Sequence, residues 1–365
     1  MKIKSQSPVT TLLSFRKFPR SLAIGCIAVA SVILGGFESQ GALFYWSSKA
    51  KSGDWFDAAN WVNSDGSPAS DAPGENDQPY FNTVSTHQKI TINADVSMFN
   101  LYLTAVAGDY TFAGSGAFLA PTTLPDALAN ASPGVMTIDN PIKITGVTGS
   151  AGIYSDNQGS GYIQVNGKIT PANDEAVTLG LGGRSLSKSN VVNGMIGDGM
   201  AGAGGMSVAK DGAGYWALNG ANTYTGATTV LAGTLALSAS GSIGASPLID
   251  IKDGATLDTT AQRFVMPVSQ LLRFTLNANG AAGKLRAGDL NISKGAVDFA
   301  VIGALSADYV IASYTQLTGT QFDSVKNLPA GYAIDYHYND SNVIALTPVS
   351  SKKNENKVEL IPVNK

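Results

Sequence analysis

The sequence is poor in the residues that most chemistry needs. Its 365 residues include one cysteine and two histidines, and charged side chains make up only 14%. A single thiol, Cys26, excludes an internal disulfide framework and a thiolate metal site. His87 and His337 lie far apart in sequence, each among strand-like polar residues, and read as solvated surface side chains. Neither a Gly-x-Ser-x-Gly elbow nor a His-Glu-x-x-His pair occurs, so the signatures of common hydrolases and zinc enzymes are missing. The net charge is −3, and a mildly acidic chain has no electrostatic reason to bind nucleic acid. Long hydrophobic runs are also missing. The apolar stretch from Leu22 to Leu34 is shorter than the roughly 20 residues of an ordinary membrane span.

That stretch has another use. Lys2, Lys4, Arg16, Lys17 and Arg20 precede it, and Gly35, Gly36 and Ser39-Gln-Gly-Ala42 follow. Basic, apolar and small-residue zones in this order make residues 1–42 a signal peptide, with cleavage expected after Ala42. An uncleaved anchor is the rival reading. Cys26 lies inside the apolar zone, so the mature chain would hold no cysteine. It would carry 19 basic and 26 acidic side chains, a net charge of −7.

What the chain does have is glycine, 41 residues of it, and apolar residues at 44%. Gly212 to Gly244 shows how they are used. Trp216 to Leu218, Thr228 to Leu231 and Thr234 to Leu237 are short apolar or β-branched runs separated by Gly and Asn. Each is strand-length, and none has the 3.6-residue period of a helix. Strands this short need neighbours stacked above and below them, which predicts a β-solenoid.

Within this stretch Leu218-x-Gly220-x-Asn222-Thr-Tyr224-x-Gly226-x-Thr228, then Val230, Gly233 and Leu235, resembles the passenger-associated transport repeat, also called the autotransporter-associated β-strand repeat. Lys210-Asp-Gly212-Ala-Gly214 fits its usual lead-in, and Ala227 departs from it where a second Gly is usual. The resemblance covers about forty residues. It implies an all-β, right-handed parallel β-helix in an exported bacterial surface or secreted protein, and it implies no enzymatic activity.

Along the chain, Trp46, Trp55 and Trp61 crowd residues 43–81. They read either as a sugar-binding platform or as an aromatic cap over the open end of a solenoid, and the cap is favoured. Residues 82–300 read as the parallel β-helix, with the repeat at 208–244. Thr122 to Ser132, with Pro125 inside it and Pro133 just after, reads as a loop or a short lateral helix. Gly194 to Gly214 reads as tight turns, since one Gly-Gly without a following Gly-x-Asp falls short of a calcium-binding β-roll. No single coil length emerges before Gly194. Residues 301–349 read as a β-rich closing piece, and residues 350–365 as a disordered polar tail. The N-terminal and closing regions also resemble solitary secreted proteins that carry this repeat, without the sorting tail many of them have. The stretch after the repeat is short for a twelve-strand barrel, so the chain is expected not to carry its own outer-membrane pore.

The densest carboxylate set after the repeat is Asp250, Asp253 and Asp258. A carbohydrate-active β-helix, a lyase or a glycosidase, would need such groups to converge. Here they read as turn and edge residues, although carboxylates from different coils can still meet. The expectation is a non-enzymatic surface, envelope or matrix protein, structural or adhesive. No catalytic, cofactor-binding or metal-ligating residue is assigned, and the partners would be envelope or matrix polysaccharides or other surface proteins. The alternatives are the carbohydrate-active enzyme and a passenger fragment of an autotransporter.

Overall fold

The structure is a computed structural model. It describes residues 41–349 except 98–99, 124–126, 147–148, 157–159, 200–204, 244 and 320. The basic and apolar leader, Cys26 and the tail from residue 350 lie outside the described residues. Among the described residues, two single-turn 3-10 elements, Ala58–Asn60 and Tyr338–Asp340, are the only helical pieces.

Every other element is a strand of two to seven residues, and the strands stack in parallel as a β-solenoid of about nine turns. Each turn places one strand on a first face and one on a second face, and with the strands added at the two ends these faces are sheets of 13 and 12 strands. A third face is built from two separate pieces. Val96–Ser97, Phe118–Pro121, Ile142–Thr145 and Ile169–Pro171 form the first, and Phe264–Val265, Asp289–Asn291 and Gln316–Thr318 the second. The repeat sits in the interval between them.

The strand register gives the coil lengths that sequence spacing leaves open. Tyr102 lies beside Ala129 and Ala129 beside Tyr154, steps of 27 and 25 residues. Gly180 lies beside Ala209, a step of 29. The repeat coils are the shortest, because Ala209, Thr229 and Asp250 are neighbours at steps of 20 and 21. Later coils lengthen again, with Arg273 beside Asp298 at a step of 25.

Alternation along each strand decides what is buried. On the first face Val208, Thr228, Ile249, Leu272 and Val297 form one inward row, and Lys210, Val230, Ile251, Phe274 and Phe299 form another. All ten are buried. The row between them, Ala209, Thr229, Asp250, Arg273, Asp298 and Lys326, points outward. Both ends carry antiparallel strands. Trp61–Asn63 pairs with Leu43–Trp46 at one end. At the other, Val343–Pro348 pairs with Tyr309–Ser313 and with Tyr332–Asp335. Such strands shield an edge that would otherwise offer itself to another chain.

Two segments differ from the sequence expectation. Leu128–Asn130, inside the expected loop, is a fully buried first-face strand. The strands Leu101–Leu103 and Ser150–Ser155 on either side supply its pairing, which outweighs the nearby prolines. Ser207–Lys210, within the expected turns, is likewise a first-face strand. A side-chain ladder also runs where the chain leaves the second face. Asn166 donates to Asp139 at 2.7 Å, Asn193 to Asn166 at 2.8 Å and Asn219 to Asn193 at 2.7 Å. These Asn and Asp residues stand 27, 27 and 26 positions apart, a coil period carried by one residue per turn.

Candidate functional site

The repeat residues build a narrow corner that replaces the third-face strand. Asn222 does the work of a short strand with one side chain. Its Oδ1 accepts the backbone N–H of Ile196 in the preceding coil at 2.8 Å, and its Nδ2 donates to the carbonyl of Ser242 in the next at 3.0 Å. Tyr224 is buried in the space a third strand would fill, and its hydroxyl meets the buried Thr228 hydroxyl at 2.7 Å. Burial raises the Tyr224 pKa, partly offset by that hydrogen bond. A Cβ at Gly226 would strike the carbonyl oxygen of Met206, and Gly233 turns with φ +65°. Leu218, Val230 and Leu235 are fully buried, and Gly220 passes against the Gly194 carbonyl.

Lys210, from the lead-in, occupies an inward position with no exposed surface. Its stem packs with the core row and its ammonium donates to the carbonyls of Asp211, of Gly212 at 2.8 Å and of Ala232 at 3.1 Å. It ties the turn of one coil to the turn of the next. Desolvation pushes its pKa down to about 8, with Asp211 pulling the other way.

The second face carries a shallow groove beside the repeat, about 250 Å³, walled by Lys188, Tyr215, Asp258 and Arg286. Small side chains make this room, because Val191, Ala217 and Ala236 form an apolar patch against which Tyr215 packs. Burial raises the Tyr215 pKa, and the Asp258 charge adds to it. Asp258 is engaged on both oxygens. Oδ1 accepts from the N–H and hydroxyl of Thr260 at 3.0 and 2.6 Å, and Oδ2 pairs with Arg286 at 3.2 Å. Asp250 belongs to the first face, where it pairs with Lys252 at 2.8 Å. Asp253 lies in the turn between the faces and accepts from Asn277 at 2.6 Å. Asp250 and Asp258 therefore sit on different faces with Asp253 in the turn between them, and each is engaged by its own partners. Among the described residues no group of three or more His, Cys, Asp or Glu is placed to hold a metal ion.

Trp46, Trp55 and Trp61 are buried, with ring centroids of Trp46 and Trp55 at 4.9 and 4.8 Å from Trp61 and with Phe81 beside them. Rings enclosed in this way offer no free face to a sugar. His87 is half-buried rather than solvated, because its Nδ1 meets the Ala50 carbonyl at 2.7 Å and its own carbonyl accepts from Trp46 Nε1 at 2.9 Å. His337 is exposed and touches the Tyr314 hydroxyl at 2.8 Å. Ala42 is exposed, one residue before the first strand, and its N–H donates to Asp77 at 2.8 Å.

Residues 208–237 match the passenger-associated-transport-repeat family. The chain carries one such repeat. The match spans the corner just described, from the strand that ends in Lys210 to the one that ends in Leu237. A stretch of 94 residues, 25% of the chain, is 38% identical to the Adhesin BmaC autotransporter of Brucella suis biovar 1 (strain 1330). The chain spans about 3% of that relative's length. No solved structure matches. Among the described residues no helix is long and apolar enough to cross a membrane.

Proposed function

We propose that this is an exported bacterial surface or envelope protein that acts as an adhesive scaffold rather than an enzyme. The observation that carries this reading is the passenger repeat, a compressed coil built seamlessly into the parallel stack. The alignment with part of an autotransporter adhesin supports the adhesive assignment. The ion pairing of Asp250 and Asp258 and the hydrogen bond of Asp253 support a structural use of these carboxylates. The expected address is the cell surface or the extracellular space, reached through a signal peptide cut after Ala42. Beads coated with the purified mature protein should attach to host or biofilm surfaces more than uncoated beads. Equal attachment would contradict adhesion, and polysaccharide turnover lost on Asp253→Asn or Asp258→Asn would establish the enzyme instead.

The alignment also favours a second reading, a passenger segment of an autotransporter. The two differ in the mass of the exported product. A species that stays in the outer membrane and shows heat-modifiable migration on gels would establish the second.

A further inference from the structure

We propose that an outward row of tyrosines on the first face, with the groove beside it, binds a neutral polysaccharide chain. Tyr45 lies in register with Tyr80, and Tyr80 with Tyr102. Their rings follow one another at 5.6 and 5.7 Å, tilted by 39° and 33°. The core does not need them, since the neighbouring inward positions are filled by Trp46, Phe81 and Leu103, all buried. Each tyrosine is half-buried and faces away from the interior. Val62, paired with Tyr45, continues the row on its other side. Strands sit about 4.8 Å apart, so the three rings alone cover about 10 Å, enough for more than one sugar ring.

The ligand class follows from what surrounds this row. The adjoining groove, about 570 Å³, is lined by Tyr45 and Val62 and by Ser47, Asn63, Asn82 and Thr83 among others. None of its lining side chains is charged. Hydroxyls and amides both donate and accept, as sugar hydroxyls do. Half-buried tyrosines of this kind present ring edges and hydroxyls outward, and the end ring, Tyr45, borders the groove, where it can pack against the apolar C–H face of a sugar ring. An acidic glycan would find no cation there, whereas the groove at Tyr215 has Lys188 and Arg286. Burial, with the flanking tyrosines, raises the Tyr80 pKa. This inference rests on the adhesive reading for its setting and deepens it by naming the ligand class.

Affinity electrophoresis of the mature full-length protein tests it, in gels containing hydroxyethyl cellulose, xylan, galactomannan or polygalacturonate. At least one neutral glycan should retard the protein, and polygalacturonate should not. Tyr80→Ala should weaken the retardation about tenfold, and Tyr80→Phe should keep most of it. Asn82→Trp, at an exposed groove wall, should weaken it as well and remains informative if Tyr80→Ala fails to fold. Retardation by polygalacturonate alone, by none of the glycans, or unchanged in Asn82→Trp would overturn the proposal. Bead attachment that persists in any of those cases would leave the adhesive reading standing, and its loss would remove both.

Discussion

Asn222 joins three coils through one amide, and its loss should be felt where no strand can compensate. Asn222→Ala leaves the N–H of Ile196, itself fully buried, without a partner. The expected loss is about 1–3 kcal/mol in chemical unfolding, and an unchanged midpoint would contradict the bridging role. Two kinds of buried group should shape the pH profile. Lys210 titrates near 8 in the folded protein against an ordinary 10.5. Between those values the unfolded chain holds a proton that the folded chain has released, so stability rises with pH across that window. Tyr110, raised to about 12, and Tyr224, raised further, behave in the opposite way. Above about pH 10 the unfolded tyrosines ionise first, and stability falls. Urea unfolding from pH 7 to 11.5 should therefore show a rise followed by a fall. Lys210→Met should remove the rise, and Tyr224→Phe should soften the fall.

At the scale of the element, the repeat is a coil of 20 to 21 residues that follows one of 29. Its inner residues bear the packing. Leu235 lies between Trp216 and Leu257 in an inward row and is fully buried. Leu235→Asp should cost about 3–5 kcal/mol as an unpaired buried charge, measured by thermal or chemical unfolding. Trp216 to Leu218, Thr228 to Leu231 and Thr234 to Leu237 were legible in sequence because each is a short apolar or β-branched run set between Gly- and Asn-rich gaps, whereas Ser207–Lys210, at the end of a Gly-rich stretch, was not. Leu128–Asn130 was not, because its pattern is three residues long and its pairing comes from strands more than twenty positions away. The ladder from Asp139 to Asn219 was hidden for a related reason. Its signal is one polar residue per coil, which only the stacked register aligns. The tyrosine row was hidden in the same way, because Tyr45, Tyr80 and Tyr102 become neighbours only once unequal coils are stacked.

For the whole molecule, the passenger repeat was evident in the chain, and the all-β parallel stack followed from it. The candidate sites were less legible. The tryptophans read as a cap with a sugar platform as the alternative; Trp46, Trp55 and Trp61 face inward, and the outward aromatics of the same coils, which the sequence did not single out, are tyrosines. Asp250, Asp253 and Asp258 are close in sequence, but a coil turns a corner between Asp250 and Asp258 and places them on separate faces. Export makes its own prediction. N-terminal sequencing of the secreted product should begin near Leu43, and a retained product beginning at Met1 would contradict the signal peptide.

Successive coils stack in one fixed parallel register through the repeat, and engineered cysteines read that register directly. No cysteine follows residue 42, so any disulfide formed in the mature chain is the engineered one. Thr234 and Thr256 are half-exposed register partners on adjacent coils, 22 residues apart in sequence. Their separation, about 4.8 Å for neighbouring strands, lies within the span a disulfide bridges. Mild oxidation of the Thr234→Cys/Thr256→Cys protein should give a cross-linked species that migrates faster on non-reducing gels. The Thr234→Cys/Leu257→Cys protein, with its second thiol turned to the interior, should stay reduced. Cross-linking of the second pair in preference to the first would contradict the register, and with it the stacked solenoid.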